Sequence, residues 1–188
     1  GDSLFYFRYL ALVLQNAGDS WGRFIALKNY DYALLQKWFY LLDKLDDQSH
    51  FVPSIAAYYY SNTQNPEDNI YIVNYLSDHY DKDPEGKWWW LGQAVHIANH
   101  KLKNKDLALK LAYKLSSTPT DMPSWAKQMP AFILEQKEEF EEAYIFMKEL
   151  RDSLENDEFS EYELNFMNYF IRERLGVIED EFERRGSL

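Results

Sequence analysis

The sequence contains no cysteine, which excludes a disulfide framework, a zinc-thiolate site and a cysteine nucleophile. Its 7 glycines and 6 prolines are too few for an all-β chain with many turns. The longest apolar run, around Leu4–Leu14, is interrupted by Arg8 and is too short to cross a bilayer. The sequence has 20 basic and 31 acidic residues. Its net charge of -11 argues against broad contact with nucleic acid or anionic lipid.

Apolar residues are abundant, at 46% of the 188 residues, and 18% of the chain is aromatic. A chain of this length and composition can bury a core without metals or disulfides, so we predict a single domain over residues 1–188. The first residue is Gly rather than Met, and we interpret the sequence as a trimmed or processed chain. The expected localisation is that of a soluble domain, with a membrane anchor upstream of Gly1 left open.

Apolar residues recur at helical spacing along most of the chain. Asp2 or Ser3 can cap a first helix, and Gly18 lies just past its end. Ser160 and Glu163 have the S-x-x-E spacing of a capping box that opens a last helix, and a helical pattern continues over 177–185. The predicted helices cover about residues 3–15, 30–45, 52–62, 66–80, 86–101, 106–116, 123–136, 138–154 and 160–174.

The central pair of helices recurs along the chain. A shift of about 35 residues places Trp90 on Trp125 and Ala108 on Ala143, and a period in this range is typical of stacked helical hairpins. A hairpin of two short helices cannot bury both of its apolar faces alone. Neighbouring hairpins must therefore stack to form a continuous core.

The central hairpin resembles the tetratricopeptide repeat (TPR) family. Its first helix contains Trp88-x-x-Leu91-Gly92, a bulky residue followed by Leu-Gly, where the small Gly lets paired helices approach closely. The third copy has no such Leu-Gly pair. The resemblance covers roughly residues 51–153 of the chain.

The second helix of the hairpin carries the rest of the resemblance. Ala108, Ala112 and Leu115, followed by Pro119, resemble the small–large–small series of the family. The chain departs from the family pattern in having Leu at the last small position. It also has about four extra residues between Gly92 and Ala108 relative to the usual repeat.

The resemblance implies an all-α fold, a right-handed stack of antiparallel helical hairpins that forms a TPR-like α-solenoid. We expect N-terminal capping helices over 1–50, three degenerate repeats of about 35 residues over 51–154, and a C-terminal capping helix and tail over 155–188. Each end should present a polar outer face, because terminal repeats border solvent. Kinship with bacterial TPR-like proteins that carry a membrane anchor ahead of the repeats is a further hypothesis.

Aromatic runs supply the candidate binding residues. Successive helical residues point about 100° apart, so the rings of Trp88-Trp89-Trp90 cannot all face one side. Packing is one interpretation of these rings, and a ring that anchors a partner is the other, since Trp and Tyr dominate interface hot spots. Tyr58-Tyr59-Tyr60 raises the same question one repeat earlier. Because the first helix of each TPR hairpin lines the concave face, the resemblance implies a partner groove that contains Tyr59, Trp89, Gln93 and His96.

No motif predicts catalysis or a cofactor. His96 and His100 are four apart and could share a metal, but no third ligand lies one turn further and there is no HExxH sequence. The acidic cluster over 78–85 lacks the spacing of a calcium-binding loop. Neither a Gly-rich phosphate loop nor a G-x-S-x-G sequence is present. We therefore predict no catalytic residue, no metal and no cofactor.

The predicted function is that of a non-catalytic interaction module, an adaptor or scaffold that binds a peptide or partner protein in an aromatic-lined groove. One alternative is a structural or assembly subunit of a larger complex, with membrane association left open, which a long apolar surface stripe would favour. Another is an enzyme or ligand-binding protein with a pocket near His96. Self-association between the basic segment 101–114 and the acidic segment 135–163 also stays open. Nucleic acid is not expected as a partner.

Overall fold

The computed structural model describes residues 2–20, 23–153 and 160–176. Within these residues the chain forms nine α-helices, which confirms the predicted all-α class. The predicted helical tail over 177–185 and the last residue of the predicted helix 138–154 lie outside the described part. The α-helices are α1 (Ser3–Gln15), α2 (Tyr32–Leu45), α3 (Phe51–Tyr58), α4 (Asn69–Asp81), α5 (Pro84–His96), α6 (Lys105–Ser116), α7 (Ser124–Gln136), α8 (Phe140–Ser153) and α9 (Glu161–Tyr169).

Shorter elements join these helices. Three 3₁₀ turns lie at Leu27–Asn29, Tyr60–Asn62 and Pro66–Asp68. Two antiparallel strands of two residues each, β1 (Asp19–Ser20) and β2 (Arg23–Phe24), form the one sheet of the described chain. Every helix in this part of the chain is too short or too polar to cross a membrane.

Local capping signals explain several helix ends. The Asp2 carboxylate accepts the backbone N–H of Leu4 at 3.1 Å, so Asp2 is the cap that begins α1. Gly18, just past the end of this helix, has a φ of 86°, which glycine adopts without strain. The predicted capping box is present before α9, where the Glu163 side chain accepts the Ser160 N–H at 2.8 Å and the Ser160 hydroxyl accepts the Glu163 N–H.

Two predicted helices change type before they end. The helix predicted over 86–101 is α-helical to His96 and continues as a π-helix over Ile97–Lys101, where the Leu102 N–H donates to the Ile97 carbonyl at 2.9 Å. The last helix becomes a π-helix in the same way over Phe170–Arg174. The predicted start at Glu138 is wrong, because Glu138 has a φ of 63° and α8 begins at Phe140.

Tertiary contacts divide the chain into two compact units, Gly1–Leu111 and Ala112–Leu188. In unit 1, α1 packs against α2, α2 against α3 and α4, and α4 against α5. In unit 2, α7 packs against α8 and α8 against α9. The consecutive helices that pack together within each unit make sequential antiparallel contacts. The single domain and the right-handed solenoid stay predictions.

The core of unit 1 is rich in aromatic side chains. Phe39 of α2 is fully buried, and its ring centroid lies 5.7 Å from Tyr60 and 4.9 Å from Tyr75. The buried tyrosines also satisfy their hydroxyl groups: Tyr32 donates to the Tyr60 carbonyl at 2.7 Å, and Tyr60 donates to the Leu14 carbonyl at 2.8 Å. Burial raises the pKa of Tyr32 to about 12, so the hydroxyl keeps its proton and remains a donor.

In unit 2, α7 and the segment after α9 are joined by a charged pair. The Arg174 guanidinium donates two hydrogen bonds to the Glu135 carboxylate, at 3.0 and 2.6 Å. Its guanidinium carbon also lies 5.0 Å from the ring centroid of the buried Phe170. The second π-helix is therefore fixed to α7 by polar and aromatic contacts.

The polar outer face expected of N-terminal capping helices is not found on α1. The exposed side of α1 is formed mainly by large apolar and aromatic side chains, because Arg8 is its one charged residue. This correction matters for function, since a solvent-facing surface of this kind normally contacts something. The exposed large hydrophobic side chains of α1 are Leu4, Phe5, Tyr6, Tyr9, Leu12 and Val13.

Candidate partner-binding surface

Helix α5, which carries the tryptophan run, has a well-defined start. The Asp83 carboxylate accepts a hydrogen bond from the Gly86 N–H at 3.1 Å. Pro84 occupies the first turn, where the N–H that proline lacks would have no intrahelical acceptor. A Cβ atom on Gly86 would overlap the Asp83 carboxylate, so glycine allows the cap to fold back over the helix. This start fixes the direction in which each of the next three rings points.

The three tryptophans of α5 have different environments, as their angular spacing predicts. Trp90 is 5% exposed, and its indole N–H donates to Nδ1 of His50 at 3.3 Å. Trp88 is half-buried, whereas Trp89 is 42% exposed. Trp90 is therefore a core residue, and Trp89 is the ring of this run that is most available to a partner.

Trp89 contacts a tyrosine of the neighbouring helix α3. Its indole N–H donates to the Tyr58 hydroxyl at 3.0 Å, and the Tyr58 side chain is itself 52% exposed. The sequence hypothesis named Tyr59 instead. Tyr59 is equally exposed, but its ring lies edge-on to Tyr60, with centroids 5.0 Å apart. The structure thus pairs Trp89 with Tyr58, a residue that sequence reasoning did not select.

Gln93 and His96 lie one and two turns beyond Trp89 on the same side of α5. Gln93 is half-buried and His96 is exposed. The ring centroids of His96 and His100 are 4.7 Å apart. Partial burial, and then the neighbouring His100 and Lys101, lower the pKa of His96, which favours a neutral imidazole at neutral pH.

Lys101, at the end of the π-helix that follows α5, contacts the 3₁₀ turn that follows α3. Its ammonium group donates to the Ser61 hydroxyl at 2.7 Å and to the Asn62 side-chain oxygen at 2.9 Å. Burial lowers the pKa of Lys101. Hydrogen bonds therefore join the two chain segments at the end of α3 and again at the turn that follows it. We call Tyr58, Trp89, Gln93, His96 and Lys101 together the α3–α5 surface.

This surface offers recognition groups but no metal centre. The part of the chain with described coordinates contains no cluster of three or more His, Cys, Asp or Glu side chains placed to bind a metal ion. What the surface does present is two half-exposed aromatic rings, an amide and an imidazole. Such groups can pack against an apolar side chain and hydrogen-bond to a peptide backbone.

A buried polar cluster between α2 and α4 was not predicted. The Asp43 carboxylate of α2 accepts the Tyr75 hydroxyl at 2.8 Å, Nδ1 of His79 at 2.7 Å and the Lys82 ammonium at 3.1 Å. Asp43 is 3% exposed and His79 is 1% exposed, so no substrate can reach them. The cluster resembles catalytic groups in composition, but its enclosure assigns it to fixing α2 against α4.

The charge of Asp43 is maintained by these partners. Burial alone would raise its pKa, but the hydrogen bond and charge of His79, the Tyr75 hydroxyl and the Lys82 charge together hold the pKa of Asp43 below its usual value. Burial and the adjacent Asp43 carboxylate raise the pKa of Tyr75. Asp43 is therefore ionised and accepts, while Tyr75 stays protonated and donates.

No protein-family model, no curated protein and no solved structure matches this chain. The TPR resemblance is therefore not confirmed by any family match. The fold itself supports a broader statement: the described residues form an all-helical protein of nine packed α-helices.

Proposed function

We propose that this protein is a non-catalytic interaction module that binds a peptide or a partner protein on the α3–α5 surface. The observation that carries the proposal is the hydrogen-bonded pair of Trp89 and Tyr58, each about half exposed. Trp and Tyr contribute large contact areas at low conformational cost and are enriched among residues that dominate binding energy.

The hydrogen bonds within the surface support this function. The Trp89–Tyr58 hydrogen bond joins α5 to the last residue of α3, and the two hydrogen bonds of Lys101 join the π-helix after α5 to the 3₁₀ turn after α3. A surface that is already ordered loses less conformational entropy when a ligand binds, so more of the contact energy is available for affinity. The ligand that fits best presents an apolar or aromatic side chain to Trp89 and backbone groups to Gln93 and His96.

The proposal includes the finer architecture implied by the TPR resemblance. In this architecture α3 and α5 would be the first helices of two consecutive hairpins, and the contact between α3 and α5 is compatible with it. In a TPR-like solenoid the first helices line the concave face. We therefore place the α3–α5 surface on that face, as part of the same proposal.

The proposal is tested by affinity capture of partners from a lysate of the source cell, with the purified protein as bait. The captured partner is then titrated against defined variants. We expect the double variant Trp89→Ala/His96→Ala to bind the partner at least about tenfold more weakly than the wild type, because truncating a hot-spot ring typically costs that much. Trp125→Ala is the matched control, since Trp125 is 38% exposed and lies in unit 2.

Circular dichroism must first show that each variant retains the helical signal of the wild type. Loss of binding in the double variant but not in Trp125→Ala supports the proposal and locates the site. Equal binding by all three proteins contradicts the assignment to the α3–α5 surface. Failure of the wild type to bind any protein or peptide contradicts the interaction-module function itself.

A second candidate function is that of a structural or assembly subunit. The observation that favours it is the apolar outer side of α1, which has the character of an interface rather than of a solvated cap. The two functions use different surfaces of unit 1, so both can hold for one protein.

A further inference from the structure

Helix α1 has two apolar sides. Phe7, Ala11 and Leu14 are buried against the rest of unit 1. On the opposite side, Phe5, Tyr9 and Leu12 follow one another at helical spacing and are 64%, 60% and 58% exposed. A helix that is apolar all round is normally covered all round, so this face requires an occupant. The exposed side chains that flank these three are Leu4, Tyr6 and Val13.

The apolar surface extends from α1 onto α2. Val13 of α1 and Leu34 of α2 line the same shallow groove, which also contains Trp38 and has a volume of about 200 Å³. Leu34 is 51% exposed, and Leu41, two turns further along α2, is 43% exposed. We call the exposed side chains of α1 together with Leu34 and Leu41 the α1–α2 face.

A second groove runs along the other side of α1. It has a volume of about 410 Å³ and is lined by Phe7, Arg8, Ala11, Leu12, Gln15 and Phe51. Most of this lining is apolar. The α1–α2 face therefore consists of a ridge of large side chains with an apolar groove on each side. A surface that contains both ridge and groove can pack against a copy of itself, which is what a twofold interface requires.

The area of the α1–α2 face matches that of a stable dimer interface. If a fully exposed large side chain offers roughly 150–250 Å², its eight side chains expose roughly 800 Å² per copy at their observed exposures. Standard protein interfaces bury about 800 Å² on each partner. A twofold contact that covers most of this face therefore reaches the size that specific dimers have.

The charge of this region also permits self-association. The chain as a whole has a net charge of -11, which would oppose the approach of two copies. Residues 1–45, however, are close to neutral, and α1 itself contains no acidic residue. The basic residues of this segment are Arg8, Arg23, Lys28, Lys37 and Lys44, and the acidic ones are Asp2, Asp19, Asp31 and Asp43.

We infer that the α1–α2 face is a homodimer interface, in which the Phe5–Tyr9–Leu12 ridge of one copy packs into the groove beside α1 of a second copy. Interfaces of this type are enriched in aromatic residues and depleted in charge at their centre, as this face is. The interface is separate from the α3–α5 surface. The inferred homodimer therefore does not depend on the proposed partner binding.

The test is the molar mass of the full chain in solution, measured by light scattering and by sedimentation over a range of concentrations. We expect the wild type to have twice the chain mass of 22.5 kDa. We expect Tyr9→Glu to be monomeric, with a dimer dissociation constant raised at least about 100-fold, because a twofold interface contains the new charge twice. Tyr162→Glu, at a tyrosine that is 81% exposed in unit 2, is the matched control and should remain dimeric.

The absence of cysteine allows a second readout of the same geometry. With Tyr9→Cys, a short bismaleimide should link two chains in high yield, because Tyr9 lies at the centre of the proposed interface. The same reagent should leave Tyr162→Cys mostly uncrosslinked at equal protein concentration. Helical content and melting temperature of each variant, compared with the wild type, show that it is folded.

Three results would overturn the inference. The first is a wild type that remains monomeric at the highest concentration tested. The second is a dimer that Tyr9→Glu and Tyr162→Glu weaken equally. The third is a monomer that binds vesicles of neutral phosphatidylcholine and loses that binding with Tyr9→Glu, which would show that lipid covers the face.

Discussion

Unit 1 exposes aromatic residues on two surfaces that are built in different ways. On the α3–α5 surface, the exposed Trp89 ring is held by a hydrogen bond to Tyr58, and the polar side chains of Gln93 and His96 lie on the same side of α5. On the α1–α2 face, Phe5, Leu12 and Val13 have no polar atom in their side chains, and they are still 44% to 64% exposed. Similar residue types thus produce a mixed surface in one place and an apolar one in the other.

This difference indicates two kinds of contact. Surfaces that mix aromatic rings with hydrogen-bonding groups remain compatible with water when the partner leaves, which suits reversible binding. A large face with few polar groups is unfavourable in water and has the composition of a permanent interface, which suits a permanent contact. The two surfaces share one scaffold. Helix α2 carries part of the α1–α2 face and packs against α4, and α4 in turn packs against both α3 and α5.

The largest expected effect comes from breaking that scaffold at Asp43. Asp43→Asn removes the charge that His79 and Lys82 pair with, and leaves buried donors without an ionised acceptor. We expect the free energy of unfolding to fall by about 3–5 kcal/mol, as found when one partner of a buried ion pair is removed. Chemical denaturation measures this loss, and both surfaces should become less ordered with it.

Asp78→Asn is the control for this substitution. Asp78 is an exposed carboxylate of α4 that accepts the Tyr40 hydroxyl at 2.6 Å, and we expect its loss to cost only about 1 kcal/mol. Because Tyr40 belongs to α2, this hydrogen bond also joins α2 to α4. Similar losses for the two variants would show that the buried Asp43 cluster stabilises the protein no more than an exposed hydrogen bond between the same helices.

A smaller effect is expected in the pH dependence of stability. The pKa of Asp43 in the folded protein lies below its usual value, so its charge contributes stability at pH values above the ordinary pKa of an aspartate. That contribution is lost as the pH falls through the folded-state pKa. The difference in unfolding free energy between wild type and Asp43→Asn should therefore shrink as the pH falls below about 4.

Denaturation of both proteins in parallel at a series of pH values measures this difference directly, and other carboxylates largely cancel. A difference that stays constant down to pH 3, or grows as the solution becomes more acidic, would contradict an ionised Asp43 in the folded state. It would also mean that the cost of Asp43→Asn arises from packing rather than from charge.

Much of the fold was predictable because its signals are local. The α1 cap, Gly18 and the Ser160–Glu163 capping box each act within a few residues, and each was predicted from residue type and position, with Asp2 and Ser3 as the two candidates for the cap. The transition to a π-helix at Ile97 was not predictable in this way, since the apolar pattern continues through it. Glu138 was assigned to a helix because a positive φ at a non-glycine residue has no clear sequence signal.

The binding surface was predictable only in part. The exposure of one ring in the tryptophan run follows from the angular spacing of helical residues. Which of three consecutive tyrosines meets Trp89 depends on the rotation of α3, and the sequence pattern does not determine that rotation. The Asp43 cluster was missed because its partners Tyr75 and Lys82 lie 32 and 39 residues away, beyond the reach of any local motif.

The smallest expected effects separate the two surfaces most directly. Trp89→Phe removes the hydrogen bond to Tyr58, and we expect the unfolding free energy to fall by about 0.5–1 kcal/mol, with a matching coupling energy in a double-mutant cycle with Tyr58→Phe. Leu12→Ser should change the free energy of unfolding by less than about 0.5 kcal/mol, because the Leu12 side chain is 58% exposed in the single chain. This measurement requires protein concentrations low enough to keep the chain monomeric. If Leu12→Ser costs more than Trp89→Phe under these conditions, the outer side of α1 contributes to the packing of its own chain. The distinction between the two surfaces would then fail.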